Sequence, residues 1–254
     1  MSSADAALAA ALAAEAGREL LAVREELAGA SLDVRRDEGD RRAQALLAAR
    51  LRQERPGDAV LSEEAPDDLV RLGAHRVWVV DPLDGTREFG EAGRTDWAVH
   101  VALWERSAGP DGDLTAGAVA LPAQGRVLST DPAPALPPAH DGPPRLLVSR
   151  SRPHPVVVAL AERLGAELVP MGSAGAKAMA VLTGEADAYV HDGGMYEWDS
   201  AAPVAVARAA GAHTSRVDGS PLLYNRRDVL LPDLVLCRPE LAQPLLDGLA
   251  ALRR

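Results

Sequence analysis

A proline-rich stretch near the middle of the chain most limits what this sequence can fold into. Residues 131–145 contain six prolines, and each proline lacks a backbone N–H donor and fixes φ at about −65°. Such a segment suits neither a helix interior nor a central strand. It predicts a connector at residues 132–144 between an N-terminal subdomain, residues 1–131, and a C-terminal subdomain, residues 145–254.

The hydrophobic patterns on the two sides of this connector differ. The first side predicts an amphipathic helix at residues 3–28, and a second helix that starts at Asp40 as its N-cap and ends before Pro56. Apolar runs then predict strands at residues 59–61, 76–80, 97–104, 114–121 and 126–129. The second side alternates strands and helices at residues 145–149, 155–164, 167–170, 174–183, 186–190, 199–210, 234–237 and 239–250. We therefore expect an α+β first half with a mostly antiparallel sheet, and an α/β second half.

The charge balance excludes several classes of partner. Asp and Glu number 37 against 27 Lys and Arg, a formal net charge of −10, which opposes binding to nucleic-acid polymers and to anionic lipid surfaces. A phosphorylated small molecule remains possible if the protein holds divalent cations, because the ions then dominate the local field. One cysteine, Cys237, allows no intrachain disulfide. With no basic residue before the apolar N-terminal run and no membrane-length apolar stretch, we expect a cytoplasmic protein.

The segment DPLDGT at residues 81–86 contains several candidate site residues directly after a predicted strand. Asp81 and Asp84 can point at one spot, and two carboxylates at about 4 Å repel by roughly 4 kcal/mol at an effective dielectric constant near 20. Such a pair usually shares a proton or a cation. Gly85 permits a tight turn, and Thr86 is a natural N-cap for a following helix whose free N–H groups suit a phosphate. The alternative is a purely structural Asx turn at a strand end.

Three further acidic positions strengthen the functional interpretation. Glu63 follows the predicted strand 59–61 and would face the same cleft; the alternative is that it belongs to a solvated acidic run. Asp199 opens the predicted helix 199–210, and Asp40 opens the second helix. Helix capping alone would explain both of these aspartates.

Three motifs together resemble a known group of enzymes. DPLDGT at residues 81–86, the preceding Ser62-Glu63-Glu64, and EWDSAAP at residues 197–203 are similar to the signatures of the magnesium-dependent, lithium-sensitive phosphatases that include the inositol monophosphatases. DGSPLLYN at residues 218–225 and SRSRP at residues 149–153 resemble the CysQ branch, the 3'(2'),5'-bisphosphate nucleotidases. The resemblance implies a layered α/β/α/β/α sandwich of the inositol monophosphatase and fructose-1,6-bisphosphatase type, with the site between two subdomains.

The resemblance also implies roles for individual residues. Two or three Mg²⁺ ions would be bound by hard oxygen ligands, namely Glu63, Asp81, Asp84, Asp199 and the backbone carbonyl of Leu83. Thr86 would accept or relay the proton of the attacking water, held by Asp40, while the amides of Gly85 and Thr86 bind phosphate oxygens.

One departure from the family pattern concerns the segment before Asp40. The family usually carries Val-Thr-x-x-Asp there, whereas this chain reads Arg35-Arg36-Asp37-Glu38-Gly39-Asp40. Asp37 or Glu38 is therefore an alternative to Asp40. We interpret Arg35 and Arg36 as part of a solvated loop, with contact to a substrate phosphate as the alternative.

The substrate-binding side is predicted from residues 149–192. Gly172-Ser173 opens a helix that contains Lys177, the only lysine of the chain; the amides there, Ser173 and Lys177 are candidates for substrate contacts. Asp192 matches the place where the family holds substrate hydroxyls. Arg150 is a candidate for a phosphate or base contact, with a surface salt bridge as the equal alternative.

The predicted reaction is hydrolysis of 3'-phosphoadenosine 5'-phosphate to AMP and phosphate, which removes a by-product of sulfate assimilation. A phosphatase acting on inositol 1-phosphate or fructose 1,6-bisphosphate would use the same site. A non-catalytic partner protein is the alternative from another class, and a homodimer is possible because relatives often form one.

Overall fold

The structure is a computed structural model that describes residues 3–253. Its first half places helices against one five-stranded sheet, whose strands lie side by side in chain order. β1 and β2 are parallel, and the other neighbouring pairs are antiparallel. The elements are α1 (Ser3–Glu26), α2 (Leu32–Glu54), β1 (Ala59–Ser62), β2 (Arg76–Asp84), α3 (Thr86–Gly90), β3 (Ala98–Glu105), β4 (Asp113–Leu121) and β5 (Arg126–Ser129).

The second half forms a mixed sheet in the order β7-β6-β8-β10-β9. β6 is parallel to β7 and β8, whereas β10 is antiparallel to β8 and β9. The elements are β6 (Arg145–Ser149), α4 (Pro155–Leu164), β7 (Glu167–Met171), α5 (Ala174–Leu182), β8 (Ala188–Tyr196), α6 (Glu197–Ala209), β9 (His213–Ser215), β10 (Leu230–Cys237) and α7 (Ala242–Leu252). Residues 130–144 connect the two sheets without forming a helix or a strand.

Three apolar clusters stack these elements into layers. α1 and α2 cover the outer face of the first sheet, with Leu12 and Leu47 packed near Trp78. α5 and α6 lie between the two sheets, where Met179 and Val204 join the central cluster. α4 and α7 cover the outer face of the second sheet. The predicted α/β/α/β/α sandwich is therefore confirmed. Among residues 3–253, no helix has both the length and the apolar composition needed to cross a bilayer.

The start of α2 corrects two predictions. Helix α2 begins at Leu32, because the Ser31 hydroxyl accepts a hydrogen bond from the backbone N–H of Val34 at 3.3 Å and caps the helix there. Asp40 is consequently inside the helix and is not its N-cap. Arg35 does not lie in a solvated loop: it is buried, and its guanidinium donates to the carbonyls of Gly90 and Ala28.

The strands that carry the acidic motifs are longer than predicted. β2 continues through Asp84, so both aspartates of DPLDGT belong to the strand end. Gly85 rather than Thr86 is the N-cap residue of α3, with φ at 83°. β8 extends to Tyr196 and α6 begins at Glu197, so Asp199 is the third residue of α6 and not its N-cap; its carboxylate accepts a hydrogen bond from the N–H of the N-cap residue Tyr196. The short strand β9 was not predicted, because three residues give too little pattern.

Candidate active site

Asp81 is a buried carboxyl group with one unsatisfied oxygen. It is 1% exposed at the end of β2, and its Oδ1 accepts a hydrogen bond from the backbone N–H of Leu83 at 3.0 Å. Its Oδ2 is buried and has no hydrogen-bond partner within residues 3–253. Burial and the neighbouring carboxylates, Asp84 first, raise the pKa of Asp81 well above its ordinary value. A cation would remove this electrostatic cost.

Asp84, three residues later, has the opposite surroundings. Its carboxylate accepts hydrogen bonds from the Ser173 hydroxyl and from the backbone N–H groups of Ala174 (3.1 Å) and Gly175 (2.6 Å) at the start of α5. His100 Nε2 lies 3.2 Å from Asp84 Oδ2. We call these four residues the α5 cradle. Burial raises the pKa of Asp84, but the nearby His100 imidazole and the hydrogen bonds from the rest of the cradle outweigh it and bring the pKa to about 2.

Asp199 closes the acidic site from the second half of the chain. One carboxylate oxygen from each of Asp81, Asp84 and Asp199 lies within 4.8 Å of the others. The backbone N–H of Tyr196 donates to Asp199 Oδ2 at 2.6 Å, which orients the side chain on the first turn of α6. Burial and Asp84 raise the pKa of Asp199 to about 6.

Glu63 and Asp40 belong to the same acidic surroundings. Glu63 follows β1, and burial and the nearby Asp199 raise its pKa to about 7. We call Glu63, Asp81 and Asp199 the open acidic group, because no cradle of donors surrounds them as it does Asp84. Asp40 lies within α2, away from its ends. Its burial and the nearby carboxylates of Glu64 and Glu63 raise its pKa to about 7. The structure thus brings all four predicted acidic side chains and Asp40 into one region.

This set of side chains fits a divalent metal ion. The donors are carboxylate oxygens, which are the ligands that Mg²⁺ prefers. The unsatisfied, buried Oδ2 of Asp81 is a polar atom that a cation would satisfy. Because two further carboxylate oxygens, of Asp84 and Asp199, lie within 4.8 Å of this side chain, the arrangement favours a metal site.

The turn after Asp84 is constrained at each position. A side chain at Gly85 would place its Cβ 3.0 Å from Ser173 Cβ, and the left-handed φ of 83° also favours glycine. The Thr86 hydroxyl donates to the carbonyl of Leu83 at 3.1 Å. Within the described part of the chain, Thr86 forms no direct hydrogen bond to Asp40. The predicted support of Thr86 by Asp40 is therefore not a direct contact in this structure.

Lys177 lies inside the protein beside the cradle. Its ammonium group donates to the carbonyls of Ser173 at 2.7 Å and Gly172 at 3.2 Å, and lies 5.1 Å from the ring centre of Tyr189. Burial lowers the pKa of Lys177. Lys177 therefore holds the backbone at the start of α5, where Ser173 adopts a strained φ of 49°.

Arg150 and Asp192 are both engaged in ion pairs. Arg150 Nη2 lies 2.8 Å from Glu88 Oε1 and 3.0 Å from Glu91 Oε1, which matches the salt-bridge alternative. Asp192 Oδ1 lies 2.8 Å from Arg253 Nη2. Asp192 also lines a cavity of about 400 Å³ with residues of β6, of the loop before α4 and of β8, namely Ser149, Arg152, His154, Tyr189 and His191.

Sequence reasoning missed two buried polar residues next to the site. His100 lies on β3 with Nδ1 3.0 Å from the carbonyl of Trp198, and Gly175 lacks a side chain where a Cβ would be 2.0 Å from His100 Nε2. Asp96 accepts a hydrogen bond from the backbone N–H of Gly172 at 2.6 Å. A polar residue within the apolar run 97–104 was the available signal for His100; Asp96 gave none.

Comparisons with known proteins identify relatives over nearly the whole chain. A family model described as the inositol monophosphatase family matches residues 3–132 and 147–251. The chain is 56% identical over 252 residues to the 3'-phosphoadenosine 5'-phosphate phosphatase of Mycobacterium leprae, covering 96% of this chain and 92% of that protein. It is 32% identical over 192 residues to the 3'(2'),5'-bisphosphate nucleotidase CysQ of Escherichia coli K12, covering 71% and 76% of the two chains.

A solved structure is also similar. CysQ from Bacteroides thetaiotaomicron, described as a bacterial member of the inositol monophosphatase family, superposes with a TM-score of 0.76 at 28% sequence identity. The superposition covers 92% of this chain and 97% of that one.

Proposed function

The chain belongs to the inositol monophosphatase family, as its three motifs predicted, and on that premise we propose that it is a Mg²⁺-dependent phosphatase that hydrolyses the 3'-phosphate of 3'-phosphoadenosine 5'-phosphate to AMP and phosphate. The observation that carries the chemistry is the meeting of Asp81, Asp84 and Asp199 within 4.8 Å. The substrate is supported by the relative from Mycobacterium leprae, which is named for this activity and is 56% identical.

The metal ligands we propose are Glu63, Asp81, Asp84, Asp199 and the carbonyl oxygen of Leu83. Bound Mg²⁺ would neutralise the phosphate and activate the attacking water. The ligands differ in their charge before a metal binds: Asp84, with a pKa of about 2, is ionised, whereas Glu63, with a pKa of about 7, and to a lesser extent Asp199, with a pKa of about 6, would release a proton to solvent on binding a cation.

Thr86 is the side chain we assign to the attacking water. Its hydroxyl hydrogen is directed at the carbonyl of Leu83, so its oxygen lone pairs remain free to accept a hydrogen bond from water. Asp40, with a pKa of about 7, is suited to take up a proton near neutral pH. Glu38 is paired with Arg41 at 2.7 Å and Asp37 is exposed, so the structure favours Asp40 over both alternatives.

The phosphate would be held by main-chain groups after β2. Because α3 begins at Thr86, its first N–H groups have no acceptor inside the helix. We propose that the Gly85 and Thr86 amides bind phosphate oxygens there. Ser173 and Lys177 would act on the substrate side by fixing the start of α5, and Asp192 would face the nucleoside from the adjoining cavity.

The cellular role follows from the proposed reaction. Hydrolysis of this nucleotide would remove a by-product of sulfate assimilation in the cytoplasm. Cys237, the single cysteine of the sequence, is buried as a free thiol, which suits a reducing compartment.

Phosphate release from three compounds in parallel tests the proposal. 3'-Phosphoadenosine 5'-phosphate, inositol 1-phosphate and fructose 1,6-bisphosphate are each offered with Mg²⁺, and Asp81→Asn serves as the inactive control. Asp81 is preferred to Asp84 as the control because it accepts only one hydrogen bond from residues 3–253. We expect the highest kcat/KM for the nucleotide and none in the variant.

The other outcomes distinguish the alternatives. Preference for inositol 1-phosphate or fructose 1,6-bisphosphate would retain the mechanism and replace the substrate. No turnover of any compound would refute the enzymatic proposal and favour a non-catalytic partner protein.

A further inference from the structure

A buried arginine joins the two halves of the chain behind the acidic site. Arg71 is 1% exposed and lies in the short 3₁₀ helix Val70–Gly73, between β1 and β2. Its Nη2 donates to Asp67 Oδ2 at 2.7 Å, and its Nη1 donates to Asn225 Oδ1 at 2.8 Å across 154 positions of sequence. Nη2 also donates to the carbonyl of Arg226 at 2.9 Å. The guanidinium group therefore fixes the loop around Asn225 to the first half.

Asn225 continues this connection towards α6. It is buried with φ at 57°, a conformation that asparagine tolerates better than most residues. Its backbone N–H donates to Glu197 Oε2 at 2.7 Å, and the backbone N–H of Arg226 donates to Glu197 Oε1 at 2.8 Å. Both oxygens of one carboxylate are thus used to hold the loop.

Glu197 is the first residue of α6, two positions before Asp199. It is 1% exposed, and its own N–H donates to the carbonyl of Val229 at 2.9 Å. The same turn orients Asp199 through the backbone N–H of Tyr196. Any displacement of Glu197 therefore moves the turn that carries Asp199.

We propose that Arg71, Asn225 and Glu197 form a latch that positions Asp199 opposite Asp81 and Asp84, and that all three are positioning residues for the metal site. Asp81 and Asp84 belong to the first sheet, whereas Asp199 belongs to the second half, so their separation depends on contacts between the halves. The latch supplies one of these contacts, through buried, directional hydrogen bonds. This inference rests on the proposed function, because it assigns the latch to the metal site of the phosphatase.

Two substitutions at one position test the latch. Asn225→Gly keeps the positive φ and the backbone N–H but removes the acceptor for Arg71, whereas Asn225→Asp keeps an acceptor there. We expect Asn225→Gly to raise the Mg²⁺ dissociation constant, measured by calorimetry, by about tenfold, as for one lost buried hydrogen bond. Half-saturating Mg²⁺ in phosphate release should shift equally, with kcat at saturating Mg²⁺ nearly unchanged. Asn225→Asp should stay within about twofold of the wild type in both measurements, since most of the bond survives.

Asp187→Asn is a matched control that tests whether altering any buried, hydrogen-bonded carboxylate changes Mg²⁺ binding. Asp187 accepts hydrogen bonds from the backbone N–H of Arg145 at 2.8 Å and from its Nε at 3.0 Å, much as Glu197 is held. It directly precedes β8, whose nine residues, at about 3.3 Å each, separate it from α6. We expect this variant to lower the melting temperature and leave the Mg²⁺ dissociation constant unchanged.

The outcomes separate the latch from the proposed function. If Asn225→Gly melts earlier, as Asp187→Asn does, while its Mg²⁺ dissociation constant stays within about twofold of the wild type, the latch is structural only and the inference is wrong. If Asn225→Gly fails to fold, Glu197→Gln, which has the same shape, is judged by the same calorimetric criterion. A wild-type protein that binds Mg²⁺ but releases no phosphate would refute the proposed function, and the calorimetric comparison would still decide the latch.

Discussion

The charge of Asp84 is compensated differently from that of the open acidic group. Four groups of the protein itself surround Asp84 and lower its pKa to about 2. In the open acidic group, Asp81 has an unsatisfied oxygen, and burial with mutual repulsion raises the pKa of Glu63 to about 7. The difference teaches that one carboxylate of the site is stabilised by folding, whereas the other three depend on a ligand from outside the chain.

The largest expected effect is the loss of activity in Asp81→Asn. The substitution removes a proposed metal ligand from the open acidic group but keeps the acceptor for the N–H of Leu83. We expect kcat/KM to fall by about 10³-fold, the upper end of the range seen when charge stabilisation of a transition state is lost. Thermal unfolding in a chelator should show a melting temperature equal to or above that of the wild type. A clear drop in the metal-free melting temperature would show that Asp81 is instead a structural residue.

Thr86→Ala should cause the next largest loss of activity. It changes neither the α5 cradle nor the open acidic group directly. Thr86 makes one hydrogen bond, to the carbonyl of Leu83, and we assign its oxygen to the attacking water. We expect kcat to fall by about 10²-fold, as for loss of a proton-transfer group. Calorimetry should give a Mg²⁺ dissociation constant within about twofold of the wild type. Thr86→Ser, which keeps the hydroxyl, is the control; equal activity in Thr86→Ala and the wild type would remove Thr86 from the mechanism.

Asp84→Asn tests the difference between the α5 cradle and the open acidic group through the stability of the metal-free protein. An amide NH₂ group would replace an oxygen that now accepts hydrogen bonds from Ser173, Gly175 or Ala174. Leaving buried donors unpaired costs about 1–3 kcal/mol each, so the metal-free melting temperature should fall by roughly 5 °C or more, at about 2–4 °C per kcal/mol for a chain of this size. Asp81→Asn is the control for a substitution of equal shape. Equal melting temperatures for the two variants would contradict the distinction between the regions.

The pH dependence of stability is the smallest effect and comes from the open acidic group together with Asp40 and Glu197, whose pKa values are both raised to about 7. Because the pKa values of Glu63 and Asp199 are raised to about 7 and about 6, the folded metal-free protein binds more protons than the unfolded chain between about pH 4 and pH 7. Its stability should therefore fall as pH rises through this window. Asp84 contributes a constant stabilisation above about pH 4, since its pKa is lowered.

Differential scanning calorimetry in a chelator at pH 5.5 and pH 8 measures this dependence. We expect the higher melting temperature at pH 5.5, and a larger stabilisation by Mg²⁺ at pH 8, where the ligands need not release protons. Asp81→Asn, which lacks one of the repelling carboxyl groups, should show a weaker pH dependence. A metal-free melting temperature that rises towards pH 8 would contradict the pKa shifts of this group.

The sequence was most informative where one short segment contains both the pattern of a strand or helix and the candidate site residues. DPLDGT predicted Asp81 and Asp84 directly after a buried strand, and that strand is observed as β2, which also includes both aspartates. The apolar runs gave β3, β4 and β5 within one residue of their observed bounds. These predictions depend on local patterns, which do not require knowledge of distant contacts.

The start of α2 shows why other features were not predictable. Residues 32–42 are mostly charged, so no apolar pattern marks them as helical and Asp40 was the apparent cap. Gly39 also weakens the helical pattern, but a Cβ there would lie 2.7 Å from the ring of Phe89 and 3.1 Å from Leu83. The need for glycine comes from close packing against α3, which only the folded chain reveals.

The α5 cradle and the latch were not predictable for the same reason. Ser173 reaches Asp84 across 89 positions, and Asn225 reaches Arg71 across 154. No pattern within either segment encodes its partner. The lowered pKa of Asp84 arises from the distant residues of the cradle, and the raised pKa of Asp81 arises from burial and the carboxylates around it, so sequence reasoning could place the two carboxylates together but could not distinguish them.

The burial of Lys177 has a practical consequence for following the opening of this molecule. A protease that cleaves only after lysine has one target bond in the sequence, and in the folded protein that bond lies within α5. Cleavage requires the segment to unfold locally, because a helical, buried backbone does not fit an extended protease cleft. When opening and closing are fast relative to cleavage, the cleavage rate follows the population of the open form. The rate of cleavage after Lys177 thus measures how often α5, the helix whose first turn binds Asp84, unfolds locally.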